Sequence, residues 1–95
     1  MPDADFETPG ALKWIDEEAF EGIAARNVRI SDGTKGLGSR AFADCSNLKA
    51  IFIPESVEAI PDDLLDGCGE VKVYGTGDKA KTFAENNGHV FIQVQ

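Results

Sequence analysis

The chain has 95 residues, 42% hydrophobic and 27% charged, enough for one small domain with a single core and too few for two. Seventeen Asp and Glu against nine Lys and Arg leave a formal charge of -8, which repels phosphate backbones and anionic headgroups and excludes nucleic acid and membrane surfaces as favoured partners. No apolar run approaches the roughly 18 residues of a membrane span, and Met1-Pro2-Asp3-Ala4-Asp5 lacks the basic start and apolar stretch of a signal peptide.

A repeat organises everything that follows. Thr8-Pro-Gly-Ala-Leu-Lys-Trp-Ile15, Ile30-Ser-Asp-Gly-Thr-Lys-Gly-Leu37 and Ile53-Pro-Glu-Ser-Val-Glu-Ala-Ile60 occupy the same eight positions. Sliding the chain by 23 places Phe42 on Leu65, Cys45 on Cys68 and Leu48 on Val71. A unit of 22–23 residues admits one strand, one tight corner and a short return, which is one coil of a solenoid. Apolar residues alternate at the strands, Val28 and Ile30, Ile51 and Ile53, Val71 and Val73, with Phe6 and Thr8 in the corresponding first position. Alternation puts one set inside and the other outside, and stacked coils make the strands a parallel sheet. Pro9 and Pro54 follow their strands, where a missing N–H leaves no gap in the ladder.

Each return arm carries Ala19-Phe20, Ala41-Phe42 or Leu64-Leu65, read as one helical turn tucking its large side chain inward. Leu12-Lys-Trp-Ile15 and Val57-Glu-Ala-Ile60 alternate again and close each coil from a second side. The repeat stops after residue 74. Asp78 reads as the N-cap of a helix starting at Lys79, with Ala80, Phe83 and Ala84 on one face and Asn87-Gly88 as the stop. Val90-Phe-Ile-Gln-Val94 then adds a last strand, and helix and strand together shield the final apolar layer. Strands are expected near 6–8, 28–30, 50–53, 71–74 and 90–94, with the helix near 78–86.

Ala41-Phe-Ala-Asp-Cys-Ser-Asn-Leu-Lys-Ala-Ile-Phe-Ile-Pro54 with Ser56-Val-Glu-Ala-Ile60 resembles the repeat of BspA-type leucine-rich-repeat proteins, and residues 73–88 are similar to the ending of such proteins. The chain departs from that pattern at Ile23, which stands where the repeat has Cys, at Leu64-Leu65, and in a third strand one residue short before Tyr74. The resemblance implies an α/β fold: a short right-handed leucine-rich-repeat solenoid with a parallel sheet on one face and a C-terminal capping helix and strand. It divides a single domain into about three repeats over residues 1–74, entered partway through a coil, and a cap over 75–95. It further implies a non-catalytic module that binds a protein or surface glycan, as the tail of a larger bacterial surface or secreted protein, with no catalytic residues to carry over. An extracellular or cell-surface setting and an excised C-terminal fragment follow as expectations, as does a monomer whose neighbours are upstream repeats of the same chain.

Few residues suggest other chemistry. Cys45 and Cys68 lie one repeat apart, about 4.8 Å in a stacked coil, so a disulfide is conceivable. Two stacked core thiols is the better reading. With His89 as the one histidine, read as a solvated turn residue, no metal set or nucleophilic triad assembles. Val71-Lys-Val-Tyr-Gly-Thr-Gly-Asp-Lys-Ala80 has the order of a dinucleotide fingerprint, but no second crossover unit and no ribose-binding acid follow it. Asp16-Glu17-Glu18 and Asp62-Asp63 read as solvated corners. No catalytic residue, cofactor or metal is expected.

Phe52 is the most informative residue. With Ile51 and Ile53 inward, alternation turns it outward, beside Glu7, Arg29 and Lys72 or Tyr74. Aromatic and Arg groups are what protein contacts favour. The stripe Glu7, Arg29, Phe52, Lys72 and Tyr74 is therefore the expected partner-binding surface, against the alternative that Phe52 is an ordinary exposed residue or packs on Arg29 or Tyr74. Replacing it by Ala is expected to leave the melting temperature almost unchanged. The competing function is a structural cap or spacer of a longer array with no ligand of its own.

Overall fold

The computed structural model describes residues 5–94. Its strands are β1 (Phe6–Glu7), β2 (Trp14–Ile15), β3 (Asn27–Arg29), β4 (Gly36–Leu37), β5 (Ala50–Ile53), β6 (Lys72–Gly75) and β7 (Val90–Gln93), with helix α1 (Asp78–Asn86) between the last two. A five-stranded sheet runs β1-β3-β5-β6-β7 and is parallel throughout. A second parallel ladder joins β2 to β4 and reaches the third coil through a bridge from Gly36 to Ala59.

The register stacks Phe6, Val28, Ile51, Val73 and Phe91 on neighbouring strands. Val28, Ile51 and Val73 are fully buried, as are Ile30 and Ile53 in the layer beside them. Phe20 stacks on Phe42 with ring centroids 5.3 Å apart and tilts against Phe6 at 5.0 Å. Leu64 and Leu65 continue that column in the third coil, also buried. Each large side chain buried in these columns contributes about 1.5–3 kcal/mol through apolar area removed from water.

The return arms are not helical turns. Ala19, Glu21 and Ile23 N–H donate to carbonyls three residues back, while Glu18, Phe20 and Gly22 N–H donate to Ser39, Ala41 and Ala43 of the next coil. The second arm repeats this, with Phe42 and Asp44 N–H donating to Leu64 and Asp66. Alternate peptides thus face along the solenoid. Left-handed residues make the alternation possible: Glu18 and Arg40 at one position, Gly22, Asp44 and Gly67 at another. Glu18, Arg40 and Asp44 carry a Cβ there, a strain of about 1–2 kcal/mol each, offset by bonds to the next coil.

Helix α1 starts one residue earlier than expected. Gly77 is the N-cap, without a side-chain bond, and Asp78 lies in the first turn, where its charge still suits the helix dipole. Gly88, at φ +77°, ends it, and His89 N–H returns to the Ala84 carbonyl at 2.9 Å. Ala80, Phe83 and Ala84 are buried against the last coil. Close packing there requires Gly75, since a Cβ on it would stand 3.0 Å from the Ala80 Cβ.

Candidate interaction face

On the outer side of the five-stranded sheet, register aligns Glu7, Arg29, Phe52, Tyr74 and Ile92 in one row. Lys72 stands in the next row, with Asn27, Ala50 and Val90. Tyr74 is therefore the direct neighbour of Phe52, and the missing residue of the third coil falls before Lys72. Glu7 Oε2 sits 3.2 Å from Arg29 Nε, and the Arg29 guanidinium lies over the Phe52 ring at 5.0 Å. Phe52 is half-buried by this packing and is not a lone exposed apolar group. The contact with Arg29 is worth roughly 0.5–1 kcal/mol near the surface.

Beside Tyr74 the small side chain of Ala50 floors a shallow depression of about 350 Å³, lined by Asn27, Lys49, Glu70 and Lys72. Two ammonium groups and a carboxylate around an apolar floor offer hydrogen bonds of both senses next to an aromatic edge. Ala50, Asn27, Lys49 and Ile92 belong to this face but were not among the expected site residues. The repeat carries the signal for Ala50: it falls on Asn27 one coil earlier and Lys72 one coil later, so a small residue interrupts a row of long ones.

The remaining candidates have structural duties. Cys45 and Cys68 are free. Cys45 Sγ approaches the Phe20 carbonyl at 3.5 Å and Cys68 Sγ the Phe42 carbonyl at 3.0 Å, each thiol donating to the preceding coil. Burial pushes the Cys68 thiol up to about 11, the opposite of an activated nucleophile. His89 is not a solvated turn residue: its Nδ1 accepts the Val71 N–H at 3.1 Å, and its ring stacks on Phe83 at 5.6 Å. Burial lowers its pKa, partly offset by Glu70.

The acidic corners are bonded across coils. Asp63 accepts Ser39 Oγ at 2.6 Å and Arg40 N–H at 3.2 Å, and the Ser39 bond above all holds its carboxyl below the usual range. Arg40 pairs with Glu21 and Asp44 at 3.1 Å and with Asp66, tying three successive arms together. Among the described residues no group of three or more His, Cys, Asp or Glu is arranged to hold a metal ion. No described helix is long and apolar enough to cross a membrane.

A family model described as BspA type leucine-rich repeat region (6 copies) matches residues 4–87. No curated protein and no solved structure matches the chain. With nearly its whole length inside that match and its coils stacked strand over strand, the chain belongs to the BspA-type leucine-rich-repeat family, whose repeat is in general a non-catalytic protein-interaction fold.

Proposed function

We propose that the outer sheet face recognises an extracellular protein or a surface glycan, as part of a larger bacterial surface or secreted protein involved in adhesion. The observation that carries this reading is the row Arg29, Phe52 and Tyr74 bordering the depression floored by Ala50. An aromatic strip of this kind supplies contact area at low entropic cost, and the flanking Lys49, Lys72, Glu70 and Glu7 supply orientation. Hydroxyl-rich or amide-rich ligands match such mixed donors and acceptors.

The extension of the sheet by β7 favours a second reading, that of a cap completing a longer array whose binding surface lies elsewhere. One experiment separates the two. The chain, its Phe52→Ala variant and its Lys72→Glu variant are screened on a glycan array and against a panel of immobilised matrix glycoproteins. Saturable binding by the parent chain, weakened at least about 10-fold (about 1.4 kcal/mol) in the variants with unchanged circular dichroism, supports recognition. Absence of binding, or equal binding by all three proteins, assigns the role to the cap.

A further inference from the structure

The second ladder, unlike the sheet, is left open after the third coil. Along it, Lys35 N–H donates to the Lys13 carbonyl at 2.6 Å and Glu58 N–H to the Lys35 carbonyl at 2.7 Å. The next acceptor in that series, the Glu58 carbonyl, takes the Lys79 ammonium at 3.2 Å in place of a backbone amide. In the companion series Leu37 N–H donates to the Ala59 carbonyl at 3.0 Å, while the corresponding Ile60 N–H has no partner among the described residues. The edge therefore offers an acceptor held by a displaceable side chain and a donor held by nothing, two residues apart on one strand position.

That edge borders a groove of about 360 Å³ between the third coil and helix α1. Ile60 and Phe83 are its apolar lining, and Glu58 and Asp62 from the third coil with Asp78 and Lys79 from the helix make its charged lining, three acidic residues to one lysine. A neighbouring hollow of about 310 Å³ adds Glu55 at its end. A second copy of this chain, at -8, is a poor occupant on charge alone.

We propose that this groove takes an extended peptide segment with alternating basic and apolar residues, added as a further parallel strand of the second ladder. Its amide replaces Lys79 on the Glu58 carbonyl, and its carbonyl accepts the Ile60 N–H. Its apolar side chains lie on Ile60 and Phe83, and its basic ones meet Asp62 and Asp78. Strand addition of this kind draws affinity from the main chain and selectivity from alternate side chains. None of these residues belongs to the sheet-face row, so the inference stands apart from the proposed recognition there.

The test titrates the ¹⁵N-labelled chain with the capped peptide Val-Lys-Val-Lys-Val-Lys, its Glu-for-Lys analogue and a version N-methylated at alternate amides. The Lys peptide is expected to saturate with a Kd on the order of 0.1 mM, moving the amides of Glu58, Ile60 and Thr82, while the other two bind at least about 10-fold more weakly. Asp62→Lys with Asp78→Lys is expected to weaken binding by a similar factor. Asp16→Lys with Glu17→Lys, an equal charge change away from the groove, is expected to leave it within about 2-fold. Shifts centred on Phe52 and Tyr74, shifts spread over the surface without saturation, equal binding of the N-methylated peptide, or equal loss in both charge variants would each overturn the proposal.

Discussion

The molecule has two parallel ladders built from the same three coils, and they end differently. The five-stranded sheet is completed by β7, with helix α1 crossing above it. The second ladder stops at Ala59, and one lysine side chain stands where another coil's amide would be. Apolar exposure accounts for the difference. Behind β6 lie Val71, Val73 and Leu65, all buried, and leaving that layer open would return three large side chains to water. Behind Ala59 stands Ile60, already partly exposed, so less is gained by covering it. The chain invests its last twenty residues where the hydrophobic return is largest.

The largest expected effect comes from breaking the better-sealed end. Phe83 packs into the last layer at 4% exposure and stacks on His89. Phe83→Ala is expected to cost about 3–5 kcal/mol, measured by urea unfolding, because a large cavity opens under the helix. A loss below about 1 kcal/mol would mean that α1 rests on the solenoid without sealing it.

His89 sharpens the same contrast through pH. Its neutral Nδ1 accepts the Val71 N–H, and burial depresses its pKa below the unfolded value of about 6.5. The unfolded chain therefore takes up the proton first. This contribution to stability is complete above about pH 6.5 and declines as pH falls from there towards the folded value, with no further loss below it. His89→Leu is expected to cost about 1–3 kcal/mol at neutral pH by orphaning the Val71 N–H, and to flatten the dependence on pH just below the ordinary histidine value of about 6.5. Melting temperatures from neutral pH down through that value read both. Asp63 titrates separately: its lowered pKa gives stability that is present above the ordinary carboxylate range and lost only in stronger acid.

Phe52→Ala comes next, at about 1 kcal/mol, because the ring is half-buried under Arg29 and beside Tyr74. That is more than the near-zero change expected from an exposed outward position, and the register explains it. Alternation assigns Phe52 to the outer face; the packing of long neighbours across strands then covers part of it.

The strand columns were legible because two periods agree in them: alternation along each strand, and 22–23 residues between Val28, Ile51 and Val73. Tyr74 against Lys72 was not resolved, since the shortened third unit has apolar residues at both 71 and 73 and alternation there fits either register. The return arms were misread for a different reason. An Ala-Phe pair looks the same on a helical turn and on a run of tight turns, and what separates them is left-handed backbone ahead of the pair at Glu18 and Arg40, residue types that advertise no such geometry, and after it at Gly22, Asp44 and Gly67, where the glycines and Asp are permissive but equally fit the end of a helical turn. His89 was placed correctly beside the Asn87-Gly88 turn, yet its partner Val71 is 18 residues away and is reached only once the cap folds back. The groove at Ile60 had no local signature either, because it consists of a bond that the next coil would have made.

Lys79→Ala gives the smallest expected effect on stability and the most direct view of the weaker end. The ammonium is exposed and bonds one carbonyl, so its removal is expected to change stability by no more than about 0.5 kcal/mol. Its local consequence is larger. With Lys79 gone, the Glu58 carbonyl joins the Ile60 N–H in having no partner among the described residues, and exchange of the two bonded amides nearest that edge, Glu58 (to the Lys35 carbonyl) and Leu37 (to the Ala59 carbonyl), should quicken while Val73 and Val71, under the cap, keep their protection. Equal quickening at all four positions would mean that the two ladders open as one unit, and that the lysine secures the sheet as well as its own edge.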